Sequence, residues 1–235
     1  MASLVKVFLA GTATAIVGAG VANKESIKTS PTFKMFQRKV EKLTTAVEGP
    51  NHSDDGFYPI YGKHDAGLSE EALNKLRVHP DGKGGVCQRR GPDMKPIPLP
   101  PGTHKYVAIR DPDTKKLALY VDTPPPGAKG LGKFTLFDPE RPTHHSQFFG
   151  GKVPVDCAGE AEVMHEKQES LSQINLLNND SGHFQPPFSA VVSMVPELQE
   201  QGLLPHKDVT IQDQTTKAAI RGQFMKKVET GDPSD

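Results

Sequence analysis

Proline restricts what this chain can fold into more than any other feature. The 235 residues include 21 prolines and 22 glycines, and 14 of the prolines fall between residues 50 and 142. Proline has no amide donor and fixes φ, so it interrupts helices and central strands. Such a chain cannot be mostly helical; it must be built from short elements joined by turns. Apolar residues make up 35% of it, below the roughly 45–50% of ordinary globular domains counted with glycine. The core is therefore small for the length. Lysine plus arginine and aspartate plus glutamate both number 28. A formal charge of zero argues against a general nucleic-acid binder, which needs a basic excess or a concentrated basic face. Two cysteines, Cys87 and Cys157, exclude a four-cysteine zinc site and a dense disulfide framework. In an exported protein they could form one bridge; in a reducing compartment they are two thiols.

Residues 1–22 carry one lysine, Lys6, followed by a small-residue apolar run from Val7 to Ala22. Gly20 and Ala22 stand where a signal peptidase would cut, which fits a secretory signal or membrane-targeting segment. The run is shorter than the roughly 20 residues of a spanning helix. The alternative is an N-terminal helix of a cytoplasmic protein. Residues 23–90 read as a helical region. Phe33, Phe36, Val40, Leu43 and Val47 recur at helical spacing with Lys34, Arg38, Lys39 and Lys42 between them, as on a surface helix. Any membrane contact would come through the N-terminal segment alone. Ser69 is an N-cap for a helix to Arg77, with Glu70 and Glu71 favourable to its dipole. Gly82–Gly85 reads as a turn, since it lacks the ending of a phosphate loop.

The five prolines between Gly91 and Gly102 predict an extended linker. Beyond it, residues 103–212 read as an α+β domain with a small, mostly antiparallel sheet and flanking helices. Tyr106–Ile109 and Leu117–Val121 predict a hairpin joined through Asp111–Lys115. Lys133–Asp138, Val153–Cys157, Glu160–His165, Leu171–Leu176 and Val209–Ile211 are further strand candidates. Pro196–Gln201 predicts a short helix closed by Gly202. Residues 213–235 form a C-terminal helix and tail, with Ile220, Phe224 and Val228 on one face. Arg221–Lys226 resembles the second half of a calmodulin-binding IQ motif, but Thr216-Lys217 stands where its Ile-Gln should be.

Chemistry concentrates between residues 143 and 186. His144, His145 and Ser146 precede a glycine pair, Cys157 leads to Gly159 and Glu160, and Asn178 to His183 form a second polar turn. Glycines 150, 151, 159 and 182 imply positive φ or close backbone approach. A thiol beside an imidazole is a nucleophile–base pair, which Cys157 with His145 or His183, oriented by Asp156 or Glu160, would supply. His144, His145, His183 and Cys157 are also zinc-ligand types. Adjacent histidines point apart, however, so no metal site and no cofactor is expected. A third arrangement puts His145-Ser146 and Ser181–His183 in one cleft for a polar ligand. An ADP-ribosyltransferase-like acid could be Glu160 or Glu162, although no Arg–Ser–Glu set has suitable spacing. The competing explanation is structural: these side chains cap tight turns by bonding backbone groups left unpaired by strands.

The order His-Ser-x-Phe, then a small-small-Gly step, then Asn-x-x-Ser-Gly-His-aromatic-x-Pro resembles a domain of plant and fungal IQ-motif calmodulin-binding proteins. The same domain occurs near the C-termini of some bacterial secreted, toxin-like proteins. The resemblance covers about residues 104–211. This chain departs from the pattern at Gln147, where the family has serine, at Cys157, where it has alanine, and at Phe184, where it has tyrosine. The resemblance implies an architecture more than a chemistry, and the calmodulin-binding helix of those proteins lies outside the domain. Together these readings predict an interaction or effector-type protein with a His/Ser-lined pocket, exported and toxin-like, with a protein partner. The alternative is a hydrolase or transferase using His145, Ser146, Glu160 and His183, with Cys157 as nucleophile.

Overall fold

A computed structural model describes residues 2–9, 13–20, 52–53, 56–91, 93–123, 144–166, 171–206 and 209–220. The elements run β1 (Ala2–Leu9), β2 (Ala13–Gly20), β3 (His52–Ser53), β4 (Gly56–Phe57), α1 (Glu70–Leu76), β5 (Val78–Pro80), β6 (Val86–Arg90), β7 (Lys95–Pro98), β8 (Gly102–Arg110) and β9 (Leu117–Val121). A 3-10 turn (His145–Gln147), β10 (Cys157–Glu166), β11 (Leu171–Asn178), α2 (Phe188–Glu200) and β12 (Val209–Gln212) follow. The fold is α+β. Five strands form a mixed sheet in the order β12-β11-β10-β8-β9, which β1 and β2 extend past β12. Only β11–β12 and β1–β12 are parallel in it. β5, β6 and β7 make a separate antiparallel sheet.

Alternation along the strands gives the main sheet two different faces. Tyr106, Ala108, Cys157, Ala161 and Val163 face a core closed by Val191, Met194, Val195 and Leu198 of α2 and by Val78, Val86 and Leu99. Val107, Ala118, Tyr120 and Ala158 point the other way, against Leu76, Phe148, Val155 and Phe184. β9 ends the sheet, yet all five of its residues are buried. Its free edge is covered: Gln88 Nε2 donates to the Val121 carbonyl (2.7 Å), the Leu117 amide donates to Glu197 (2.8 Å), and Arg77 bridges Tyr120. Covering the edge removes a template for unwanted strand pairing.

Several expectations change. Residues 2–9 and 13–20 are strands, not an N-terminal helix; among the described residues no helix is long and apolar enough to cross a membrane. The helix expected within 24–49 lies outside the described residues. From residue 56 to residue 90 the chain is not a helical region. It holds one seven-residue helix and then strands, because Pro80 and the Asp81–Gly85 turn stop helical propagation. The Pro-rich segment is extended, but it is part of the body of the protein: β7 pairs with β6 while Leu99 enters the core. Proline is tolerated there because β7 is an edge strand.

The short helix expected at Pro196 is the second half of α2, which starts eight residues earlier. Pro196 lies inside the helix. An internal proline costs about 3 kcal/mol; the buried stripe Phe188, Val191, Val195 and Leu198 offsets it, and Pro196 itself faces solvent. Gly202 closes the helix at φ 71° as expected. Of the C-terminal helix, residues 215–220 are helical; the IQ-like half-motif lies outside the described residues, as does the strand candidate 133–138.

The β8–β9 hairpin closes as the sequence predicts. The Asp111 carboxylate accepts from the Asp113 and Thr114 amides, and the Asp111 amide donates to Lys116. Lys115 sits at φ 58° in this turn, a conformation that disfavours a residue with a Cβ. Lys115→Gly should therefore stabilise the protein by about 1 kcal/mol, read as a higher midpoint in urea unfolding with an unchanged slope.

Candidate functional site

The polar turns expected to line a cleft meet on the Phe148/Phe184 face of the sheet. The 3-10 turn carries His145 and Ser146 inward, anchored by Phe148, which is fully buried. Gln147 accepts a hydrogen bond from the His144 amide (3.2 Å) and braces its start. From the second turn, His183 stacks on His144 with ring centroids 4.7 Å apart and a 33° tilt. Ser146 Oγ donates to the Asp65 carboxylate. Asp65 comes from the Ile60–Leu68 loop, which docks through Ile60 N to His183 O (2.7 Å), Gly151 N to Asp65 O (3.0 Å) and Leu68 N to Gln147 O (3.1 Å).

Gly62 sits at the centre. A Cβ there would lie 2.5 Å from Asp65 Oδ2 and 3.0 Å from His183 Cδ2, and would overlap Ser146 Oγ. Its φ of 77° also favours glycine. One serine, one aspartate and one histidine thus crowd a single point, with His144 at its half-buried margin. The serine donates to the carboxylate and not to an imidazole.

His145 turns away from this group. Its Nε2 lies 2.9 Å from the Gly159 carbonyl. Gly159 is in turn pressed against β11, where a Cβ would stand 2.8 Å from the Asn178 carbonyl carbon and overlap its oxygen. Beyond this crossing a side chain takes over from the strand ladder. Asn178 Oδ1 accepts from the amides of Glu160 and Asp180, both at 2.9 Å. Asn179 Nδ2 donates to Pro186 O and Thr215 Oγ1, and its Oδ1 accepts from Gln214 N. Ser181 Oγ accepts from Phe184 N (3.3 Å). Asn179, Asp180 and Ser181 are each 0% exposed, so the second turn is a buried polar loop and its bonds replace the water it has lost.

Cys157 is not part of this arrangement. It opens β10 on the α2 side of the sheet, while Ala158 faces Phe148 and Phe184. The thiol contacts Tyr106 Oη at 3.3 Å, and burial pushes its pKa up to about 12. A nucleophilic thiolate needs the opposite shift. Cys87 is a second free, buried thiol, raised by burial and then by Asp81; neither cysteine is bridged. Asp156 does not orient a base either: it accepts from the Arg110 amide (2.7 Å) and guanidinium (3.3 Å) at the hairpin. Glu160 lies 3.8 Å from Lys217, which also pairs with the buried Asp180 at 2.5 Å. Glu162 lies further along β10, opposite Thr103 and Leu176. Among the described residues no group of three or more His, Cys, Asp or Glu side chains is placed to hold a metal ion.

The sequence placed His145 with Ser146 and His183 and named His144 only as a zinc-ligand type; in the structure His144 stacks on His183 while His145 bonds Gly159, and Gly62, Asp65 and Lys217 were missed. Asp65 and Lys217 sit in polar local contexts that look like solvated surface, and only the tertiary approach gives them partners. No family model matches this chain, and no curated protein or solved structure matches it.

Two tests follow from this geometry. Gly159→Ala should destabilise the protein by about 3 kcal/mol or more, because the Asn178 backbone must move and its bonds break. Thermal melting would read it. The buried thiol predicts a loss of stability at alkaline pH. Unfolded, Cys157 ionises near its ordinary value of about 9; folded, it ionises near 12. Between these values the unfolded state binds fewer protons, so the contribution of this thiol is constant below pH 9 and is lost as pH rises above it. Tyr106, also raised by burial, adds to the same trend. Cys157→Ala should flatten that fall, and iodoacetamide should label wild-type Cys157 only when denaturant is present.

Proposed function

We propose that this chain is an interaction protein, of the effector type its sequence resembles, that holds a polar ligand or partner group against the half-buried His144 and Asp65, which the buried Ser146 and His183 brace. The observation carrying this reading is the convergence at Gly62. Two imidazoles, a hydroxyl and a carboxylate from three separate segments are held within a few ångströms by backbone bonds and one close glycine contact. Such a set offers donors and acceptors of both polarities in a fixed array, which suits recognition. A thiol-enzyme reading is disfavoured by the burial of Cys157 on the other face of the sheet. Export and a protein partner remain part of the proposal through the family resemblance alone.

The second reading, a hydrolase or transferase, is favoured by one observation: Ser146, Asp65 and His183 lie together. In an activated serine the hydroxyl would donate to an imidazole base, whereas Ser146 donates to the carboxylate.

A fluorophosphonate probe with peptide-resolved mass spectrometry separates the two. For an interaction surface, Ser146 stays unlabelled at neutral pH in the native chain, while rapid labelling lost in His183→Ala overturns that reading. Stability adds a check on the purely structural explanation. His183→Ala should cost about 1–3 kcal/mol. His144→Ala, at the half-buried margin, should stay within about 0.5 kcal/mol of wild type. A comparable loss for His144→Ala would make it another turn brace, not a contact residue.

A further inference from the structure

Past β12 the chain returns to the second polar turn. Residues 213–220 leave the sheet, and 215–220 are helical. Asp213 Oδ1 caps the start of that helix, accepting from the Thr215 amide (2.9 Å) and hydroxyl (2.7 Å). The segment is tied to the body at two neighbouring residues of the turn. Asn179 Oδ1 accepts from the Gln214 amide at 2.7 Å, and Asn179 Nδ2 donates to Thr215 Oγ1 at 2.8 Å. Lys217 Nζ lies 2.5 Å from Asp180 Oδ2 and 3.8 Å from Glu160 Oε2. Among the described residues 215–220 only Ala218 is buried, and Ile220 stands 62% exposed.

This attachment is polar where the rest of the fold is apolar. A segment with one buried side chain gains little from hydrophobic closure, and segments of that kind open locally at low free energy. The ion pair supplies the difference. Asp180 is 0% exposed, while the Lys217 side chain is 47% exposed. A charge within reach of solvent therefore compensates one that is not, and a buried carboxylate stripped of its counter-charge is strongly unfavourable. Asn179 connects the same segment to the histidine turn, because its Nδ2 also donates to the Pro186 carbonyl at 2.9 Å. That bond spans the base of the tight 181–185 turn, which Gln185 N closes on Ser181 O at 2.8 Å and which holds His183.

We propose that residues 213–220 form a releasable strap, locked by the Lys217–Asp180 ion pair, whose opening loosens the turn that carries His183. With the pair formed, the strap closes against Asp180, and Asn179 is held from both sides. Loss of the Lys217 charge opens the strap, because lifting it admits water to the carboxylate. Asn179 then gives up Gln214 and Thr215 and keeps Pro186. The lock depends on charge, so arginine can stand in for Lys217 and neutral glutamine cannot. The strap acts on His183 whatever the histidine surface binds.

Native-state amide exchange of the full chain, followed residue by residue by NMR, provides the test. The Gln214 and Ala218 amides donate to Asn179 Oδ1 and to the Gln214 carbonyl. In the wild type they should exchange through a local opening that low urea barely changes, since little surface is exposed. Val107 and Ala108 of the central strand β8 should be better protected and respond to urea. Lys217→Gln should speed exchange at Gln214 and Ala218 by about tenfold or more and bring it close to the unstructured rate. It should also shift the His183 ring resonances, while Val107 and Ala108 stay protected and melting stays cooperative. Lys217→Arg should keep the strap closed. Adding Asp180→Asn to Lys217→Gln removes the buried charge and should restore protection at Gln214 and Ala218. Strap amides that exchange in the wild type with the free energy and urea slope of β8 would overturn the proposal. So would a strap that stays protected in Lys217→Gln, an open strap in Lys217→Arg or in the double variant, or unmoved His183 resonances.

Discussion

The contact between Gly159 on β10 and the backbone of Asn178 on β11 is the constraint on which the rest of the site depends. At that point two strands come closer than any side chain permits. The approach brings the Asn178 amide oxygen within reach of two backbone donors and sets the Asn178 carbonyl under Tyr106 Oη at 2.8 Å. The Gly159 carbonyl is left for His145. Removing water from so many polar groups is costly unless each is answered. The buried loop Asn178–Ser181 answers them largely from within the chain.

The sheet between its two cores also sorts the chemistry. Residues one apart on β10 face opposite sides, so Cys157 and Ala158 belong to different layers: the core under α2, and the aromatic layer that carries the histidine turns. A one-residue difference in position thus removes the thiol from any partnership with His145 or His183 and sets it against Tyr106 Oη instead. The fold tolerates cysteine there as a small apolar residue. The same alternation puts Arg77, His79 and Arg89 on the outside of the β5–β7 sheet while Val78 and Gln88 close its inner side.

How far these features were legible varies with their range. The β8–β9 hairpin, the Ser69 cap, the Gly202 stop and the last strand were legible because turn chemistry and alternation act within a few residues. The Ala72 amide does donate to Ser69 Oγ, at 3.2 Å. The full length of α2 was hidden by Pro196, whose local penalty is outweighed by burial that no local window contains. The Pro-rich segment read as a linker because its strand partner, β6, is identifiable only in three dimensions. The paired histidine turns stood out in sequence; the loop that supplies Asp65 and Gly62, some 80 residues upstream, did not.

By itself, then, the sequence determined an α+β chain of short elements, the placement of its turns and the polar segments that matter, since proline, glycine and period-two alternation act through backbone geometry close at hand. Only the tertiary structure decided which of those polar groups meet. Whether Ser146 finds Asp65 or an imidazole, whether Cys157 is a nucleophile or a core residue, and whether Lys217 is solvated or paired with Asp180 depend on which face of a strand each occupies and what packs there. Those are long-range outcomes of burial, and burial is a property of the whole chain.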